Sequence, residues 1–277
     1  GAQARVQGPP HQVRRRHQMS VRERIDRHDP CRLDPLRFRR GRRLFGPPAP
    51  AKLLGDLRPD IAGSKDTVRV VRVFVRALVE LLQRLGYLFV DSSVLDAERS
   101  SQSEVILTAR LARALRKRNP WITESNVQKV VRELTHVHAA SLLEANQALY
   151  TKLILGSEVV QDLGAGPKNQ QAHFFDFFDP KQNELLVTRQ LRVKGSRKSI
   201  IPDVVIYGNG IPLVVIECKS PTLGDKWQHE AIDQLLRYQE LSEKYRDLGA
   251  PKLFQTVQLC IVTCLQDALY GTMGTPE

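Results

Sequence analysis

The stretch "IIPDVVIYGNGIPLVVIECKS", residues 200–220, consists of two apolar runs joined by Asn209-Gly210. Asn-Gly between such runs is the strongest short hairpin signal, because the tight turn needs positive φ at both central positions. Each run carries charge where a buried strand avoids it. Asp203 opens the first, and Glu217 and Lys219 close the second. Side chains alternate along a strand, so Glu217 and Lys219 share one face while Cys218 points to the other. Folding the hairpin is expected to bring the two carboxylates to one end, with the ammonium beside them. Two carboxylates at one point repel each other and desolvate poorly. A divalent cation resolves this: Mg²⁺ is commonly held by one or two carboxylates with water and phosphate oxygens. It would lower the pKa of a bound water, while Lys219 orients that water or offsets developing negative charge. A lone Glu-x-Lys at a strand end reads equally well as a solvated salt-bridging edge. The apolar "LVVI" before it, and Pro202-Asp203 with its acid fourteen residues before Glu217, sharpen the reading.

Upstream of the hairpin, "TVRVVRVFVRALVELLQRLGYLFV" (67–90) starts the hydrophobic rhythm. Phe74, Val75, Leu78, Val79, Leu81, Leu82 and Leu85 fit one helical face, Gly86 ends the helix, and "YLFV" reads as a short strand. Helices are expected over "SSQSEVILTARLARALRKRNP" (100–120), "TESNVQKVVRELTHV" (123–137) and "SLLEANQALYTKLILG" (141–156). "HFFDFFD" (173–179) and "NELLVTRQLRV" (183–193), flanking Pro180, read as a hairpin. Downstream, "DKWQHEAIDQLLRYQELSEKYRDLG" (225–249) reads as an amphipathic helix and "LFQTVQLCIVTCL" (253–265) as a last strand. Helices, then a β-meander, then a helix and a strand imply an α/β or α+β fold around a mixed sheet.

Composition narrows the class. Residues 1–50 hold 13 arginines, no lysine and 4 acids, and so carry +9 of the chain's formal +12. The basic pI thus describes residues 1–66, an irregular segment broken by "GPP" and "GPPAP", more than the body. Such a tail can bind phosphates, although a leader with no task has the same composition. No apolar run of about 18 residues predicts a transmembrane helix, and no signal peptide is readable. Four cysteines (Cys31, Cys218, Cys260, Cys264) fit a reduced, cytoplasmic setting. Cys260 and Cys264 lie in the apolar "LCIVTC" and read as core residues rather than metal ligands.

"PDVVIYGNGIPLVVIECKSP" resembles the PD-(D/E)xK nuclease motif in the form found near the N-terminus of the R (restriction) subunits of type I restriction–modification enzymes. "LGYLFV", "LTARLARALRKRNP", "ANQALYTKLILG", "FFDFFDPKQNELLVTRQLRV" and "QLLRYQ" follow in that family's order, so the resemblance covers about residues 78–277. It implies an α/β fold with a restriction-endonuclease-like core, a central mixed β-sheet flanked by helices and preceded by a helical region. The domain would span 67–277, with a helical part to about 170 and the catalytic sheet and helix after it. By resemblance, Asp203 and Glu217 are metal ligands, Lys219 is the catalytic lysine, and the cofactor is Mg²⁺, with Mn²⁺ able to substitute. Gln234 and Tyr238 match a Q-x-x-x-Y element, where Gln234 would hydrogen-bond near the cleavage site and Tyr238 would contact the DNA backbone. Gln190 matches a polar strand position to which no catalytic role is assigned.

The sequence also departs from the pattern. Related nucleases often carry an acid on the first helix, roughly nine residues before the glycine of "GY"; here that residue is Ala77, and Glu80 is the nearest acid. Glu80 is therefore a possible auxiliary. His173, a lone histidine at an expected strand start, reads as structural. No G-x-x-x-x-G-K-[ST] is present, so ATP binding and translocation are expected only in a longer protein, of which this chain would be a fragment or a natural truncation. The implied partners are DNA and the modification (M) and specificity (S) subunits. Two alternatives stand beside the nuclease of a type I restriction subunit: a docking or DNA-binding module whose chemistry has degraded, and a free-standing nuclease of another system.

Overall fold

A computed structural model describes residues 39–40, 67–224 and 226–273. The Arg-rich segment expected to be irregular lies, apart from residues 39 and 40, outside them, and so does Cys31. Helix α1 (Thr67–Arg84) opens the body, and Gly86 at φ 97° closes it as its sequence predicts. Strand β2 (Leu88–Phe89) follows, then α2 (Ser92–Glu98), α3 (Thr108–Arg118), α4 (Glu124–Thr135) and α5 (Leu142–Leu155). A separate antiparallel ribbon joins β3 (Ser157–Asp162) to β4 (Pro167–Ala172).

The remaining strands are β5 (Leu185–Arg189), the short pair β6 (Val193–Lys194) and β7 (Ser199–Ile200), β8 (Val204–Gly208), β9 (Ile211–Cys218), β10 (Leu259–Thr263) and β11 (Ala268–Gly271). Helix α6 (Lys226–Gln239) and the one-turn α7 (Pro251–Phe254) lie between β9 and β10. With β1 (Arg39–Arg40) at one edge, the main sheet runs β1-β11-β10-β9-β8-β5-β2. It is mixed: β9–β10 and β2–β5 are parallel, while β5–β8, β8–β9 and β10–β11 are antiparallel. The fold is therefore α/β with a central mixed sheet, as expected.

Alternation along the strands sorts their residues onto two faces. Val187, Val204, Ile206, Ile216 and Cys218 pack with Val75, Val79 and Leu82 of α1. Their neighbours Leu186, Val205, Tyr207 and Val215 pack with α3, α4, α5 and α6, through Leu111, Val130, Leu149 and Leu235 among others. Each such apolar side chain taken from water contributes about 1.5–3 kcal/mol before entropy is charged. The two-sided burial explains why β8 and β9 read as continuous apolar runs rather than polar–apolar alternation.

Several expectations are corrected. Residues 173–179 form no strand, because Asp176 turns the chain, its carboxylate accepting from the backbone N–H of Phe178 and Asp179. The hairpin expected across Pro180 is thus absent, and β5 pairs with β8 and β2 instead. Helix α3 begins only at Thr108, since Glu104 ties down Ser100 N–H and the Thr108 hydroxyl in an irregular lead-in. Helix α6 stops at Gln239, where Glu240 takes φ 55°, so the helix expected to run to residue 249 is shorter. Besides the short strand expected at "YLFV", which is β2, the region expected to be helical contains β3 and most of β4.

Candidate active site

The β8–β9 turn has the predicted chemistry: Asn209 and Gly210 sit at φ 50° and 82°. Asn209 also holds the turn in place. Its Nδ2 donates to Phe174 C=O (2.8 Å) and its Oδ1 accepts from Glu184 N–H (2.8 Å). A Cβ on Gly210 would lie 2.7 Å from Leu107 O and 2.8 Å from Leu111 N, so α3 approaches the turn too closely for any side chain.

At the far end of the hairpin the register becomes decisive. Near the turn Gly208 faces Ile211 and Tyr207 faces Pro212; past an irregularity at Ile206/Tyr207, Ile206 faces Val214 and Val204 faces Ile216. Leu213 is the extra residue of this bulge, a device that re-aims side chains near functional sites. Continuing that register by one residue sets Asp203 opposite Glu217. Without the bulge, Asp203 would fall opposite Ile216, whose side chain belongs to the α1 face.

Asp203 lies just before β8 and accepts from Cys218 N–H at Oδ2 (2.8 Å). Glu217 is 1% exposed and faces α6. The backbone N–H of Lys219 donates to Thr263 C=O (2.8 Å), which extends the β9–β10 ladder past the strand end and anchors the lysine. From α6, Gln234 bridges the charges. Its Nε2 donates to Glu217 Oε2 (2.8 Å) and to the Tyr238 hydroxyl (2.6 Å), and its Oε1 accepts from Lys219 Nζ. The Tyr238 hydroxyl donates in turn to Ile201 C=O (3.4 Å). The i, i+4 spacing that puts Gln234 and Tyr238 on one helical face thus delivers both to the cluster.

Burial dominates the electrostatics. It pushes the Glu217 carboxyl well above the usual range, reinforced by the charge of Asp203 and partly opposed by Lys219. Asp203 is also raised, mainly by burial, against the lowering effect of Cys218 N–H and Lys219. Burial raises Tyr238 and Cys218 too. Glu217 Oε1 is buried and accepts no hydrogen bond within the protein. A buried carboxylate oxygen without a partner normally costs about 1–3 kcal/mol, more when charged. Paired carboxylates with a spare inward oxygen form a hard-oxygen donor set that suits Mg²⁺ or Mn²⁺.

Five of the six expected site residues, Asp203, Glu217, Lys219, Gln234 and Tyr238, therefore meet. Tyr238 is only 4% exposed with its hydroxyl engaged inside, an arrangement that suits holding Gln234 more than meeting DNA. Glu80 is not brought into the cluster: it lies on the exposed side of α1, on the opposite face of the sheet, paired with Arg76 at 3.7 Å. Among the described residues no group of three or more His, Cys, Asp or Glu is gathered for a metal. His173 stays outside the cluster as well; Asn119 brackets its backbone, accepting from its N–H and donating to its C=O. Cys260 and Cys264 are free and buried, as core residues should be. Sequence reasoning missed the Cys218 N–H and the Thr263 carbonyl, because backbone partners leave no residue-type signal.

Comparison with known proteins bears on the whole of this region. Residues 74–277 match the family described as type I restriction enzyme R protein N terminus. A putative type I restriction enzyme MjaIXP endonuclease subunit from Methanocaldococcus jannaschii is 29% identical over 206 residues, 72% of this chain and 19% of that protein. The type I restriction enzyme HindI endonuclease subunit of Haemophilus influenzae is 31% identical over 180 residues, 64% of this chain and 16% of its own length. The chain thus spans less than a fifth of these curated relatives.

Proposed function

Given that the chain belongs to the type I restriction enzyme R protein family, we propose that it is the endonuclease region of a restriction subunit, with a restriction-endonuclease-like PD-(D/E)xK core that hydrolyses DNA phosphodiester bonds. One observation carries this reading: the buried Glu217 stands opposite the half-buried Asp203 and beside Lys219, with Glu217 Oε1 left unpartnered. Asp203 and Glu217 would hold Mg²⁺, or Mn²⁺ in its place. The bound cation would supply an activated water and offset charge on the phosphate. Lys219 places a fixed positive charge where negative charge builds on the phosphate oxygens. Gln234 fixes the distance between Lys219 and Glu217, and Tyr238 fixes Gln234. The DNA substrate, the M and S subunits and the cytoplasmic setting follow from the family reading, and ATP would act only on the longer protein.

The test is plasmid nicking by the 277-residue chain with Mg²⁺ or Mn²⁺, beside Lys219→Ala and Asp203→Ala. Metal-dependent nicking that both variants lose is the expected result. Equal nicking by all three rejects the site. That no third acid joins Asp203 and Glu217 among the described residues favours a second reading, a docking module with degraded chemistry. Calorimetry separates the two, since the module would show no Mg²⁺ or Mn²⁺ binding that depends on Asp203 and Glu217.

A further inference from the structure

The β8–β9 hairpin has a second polar end. At its Asn209 tip, α3 and residues 176–184 enclose a groove of about 680 Å³. Its walls are basic, with Arg110, Arg113, Lys117 and Arg118 from α3 and Lys181 from the facing segment. Helix α3 presents them because Leu111 and Leu115, both 0% exposed, take its inward face. Spacings of three and four then leave 110, 113 and 117 in one outward row.

Part of this charge is spent in holding the walls together. Arg110 pairs with Glu98 and Glu184 (2.5 and 2.6 Å), and Arg118 pairs with Asp176 (2.7 Å). Lys117 Nζ donates to Gln182 C=O (2.9 Å). The groove is thus built before any ligand arrives. Arg113 and Lys181 are exposed and make no ion pair among the described residues, although Arg113 is near enough to Glu98 to help lower its carboxyl. In the loop that carries Lys181, and outside the lining of the groove itself, Phe177 and Phe178 are 56% and 76% exposed. Asp176 caps the backbone of this loop, and the Phe177 ring leans on Phe175 at 6.0 Å between centroids. Exposed rings cost free energy unless something flat covers them, and unneutralised cations repel one another unless an anion enters. A nucleic acid strand answers both, with phosphates for the cations and bases for the rings.

We propose that this groove is a nucleic-acid contact separate from the cleavage site, taking strand phosphates on Arg113, Lys117 and Lys181 and bases on Phe177 and Phe178. The proposal rests on the reading of the chain as a DNA-acting domain. Six residue steps lead along β8 from Asp203 to Asn209, about 20 Å at ~3.3 Å per residue, so the groove and the carboxylates lie at opposite ends of that strand.

The experiment measures binding of fluorescein-labelled 30-nucleotide single strands to the full 277-residue chain in EDTA, by anisotropy over a salt series. EDTA makes it blind to hydrolysis, so it can fail while plasmid nicking succeeds, and the reverse. The double variant Arg113→Glu/Lys181→Glu should weaken binding about tenfold or more. It should also flatten the salt slope by about 1.4, since each single-strand phosphate contact contributes about 0.7. Arg113→Lys/Lys181→Arg should keep the slope. Phe177→Ser/Phe178→Ser should weaken binding several-fold at unchanged slope. All these positions are exposed, and thermal melting checks that every variant folds. Unchanged affinity and slope in the charge-reversed chain overturn the proposal, as does equal loss in the charge-conserving one. If DNA binding is unchanged and the Phe variants instead lose association with the remainder of a full-length R subunit, the groove is a protein dock and the proposal also falls.

Discussion

Gln234 donates to Glu217 across 2.8 Å while its carbonyl oxygen accepts from Lys219. A neutral amide on α6 therefore separates the acid and the ammonium that the strand brings together, and α6 becomes part of the site although its residues carry no charge there.

Removing that bridge should impair chemistry without unfolding the domain. Gln234→Ala is expected to lower metal-dependent plasmid nicking about 10- to 100-fold and to raise the Mg²⁺ concentration needed for half-maximal rate, as losses of residues that orient ligands commonly do. Gln234→Glu should be worse, since it sets a third carboxyl against Glu217. Wild-type rates and metal requirement in Gln234→Ala would reject the positioning role.

Glu217 should cost the metal-free protein stability as pH rises. The unfolded chain releases this proton near 4.5, and the folded chain holds it to higher pH. The stability that the neutral carboxyl confers is full below that unfolded value and is lost as pH climbs through the folded one. Urea unfolding in chelator from pH 5 to 8 should show wild-type stability falling across this window. Glu217→Gln should fall less and be the more stable at pH 8 by about 1–3 kcal/mol. Parallel pH profiles would contradict the assignment.

Mg²⁺ should repay that cost. At a hundredfold excess over its Kd, a ligand bound only by the folded state adds about 2.7 kcal/mol. The melting temperature of the wild-type chain should rise with added Mg²⁺, and those of Asp203→Asn and Glu217→Gln should not. A rise of equal size in all three would move the cation elsewhere.

The hairpin tip makes a purely structural prediction. Gly210→Ala forces a side chain into positive φ and against backbone atoms of Leu107 and Leu111. The strain is expected to cost at least about 1–3 kcal/mol. Denaturant melts of Gly210→Ala beside wild type measure it, and a neutral result would mean that α3 can withdraw from the turn.

The hairpin and its acids were legible because turn chemistry, strand alternation and charge placement agree at 200–220. The face of α6 was legible through the resemblance, since Gln234 and Tyr238 match a Q-x-x-x-Y element whose four-residue spacing puts both on one helical face. Other parts were not. Phe174 and Phe175 are both buried though adjacent, which no strand alternation describes, and the Asp176 turn behind them depends on backbone donors. The ribbon β3–β4 was missed because "PKNQQA" is polar and mostly exposed. The helix expected over 225–249 overruns α6 because nothing in "RYQELSEK" announces the positive φ of Glu240.

The bulge at Leu213 has a consequence for recognising distant relatives. Thirteen residues separate Asp203 from Glu217, and that count includes one residue that the ladder absorbs. A homologue with a regular hairpin would need a different interval to oppose the same two acids, and one with a longer turn would need another. Searches that fix the interval would discard such chains, whereas searches that score the opposing strand positions would retain them.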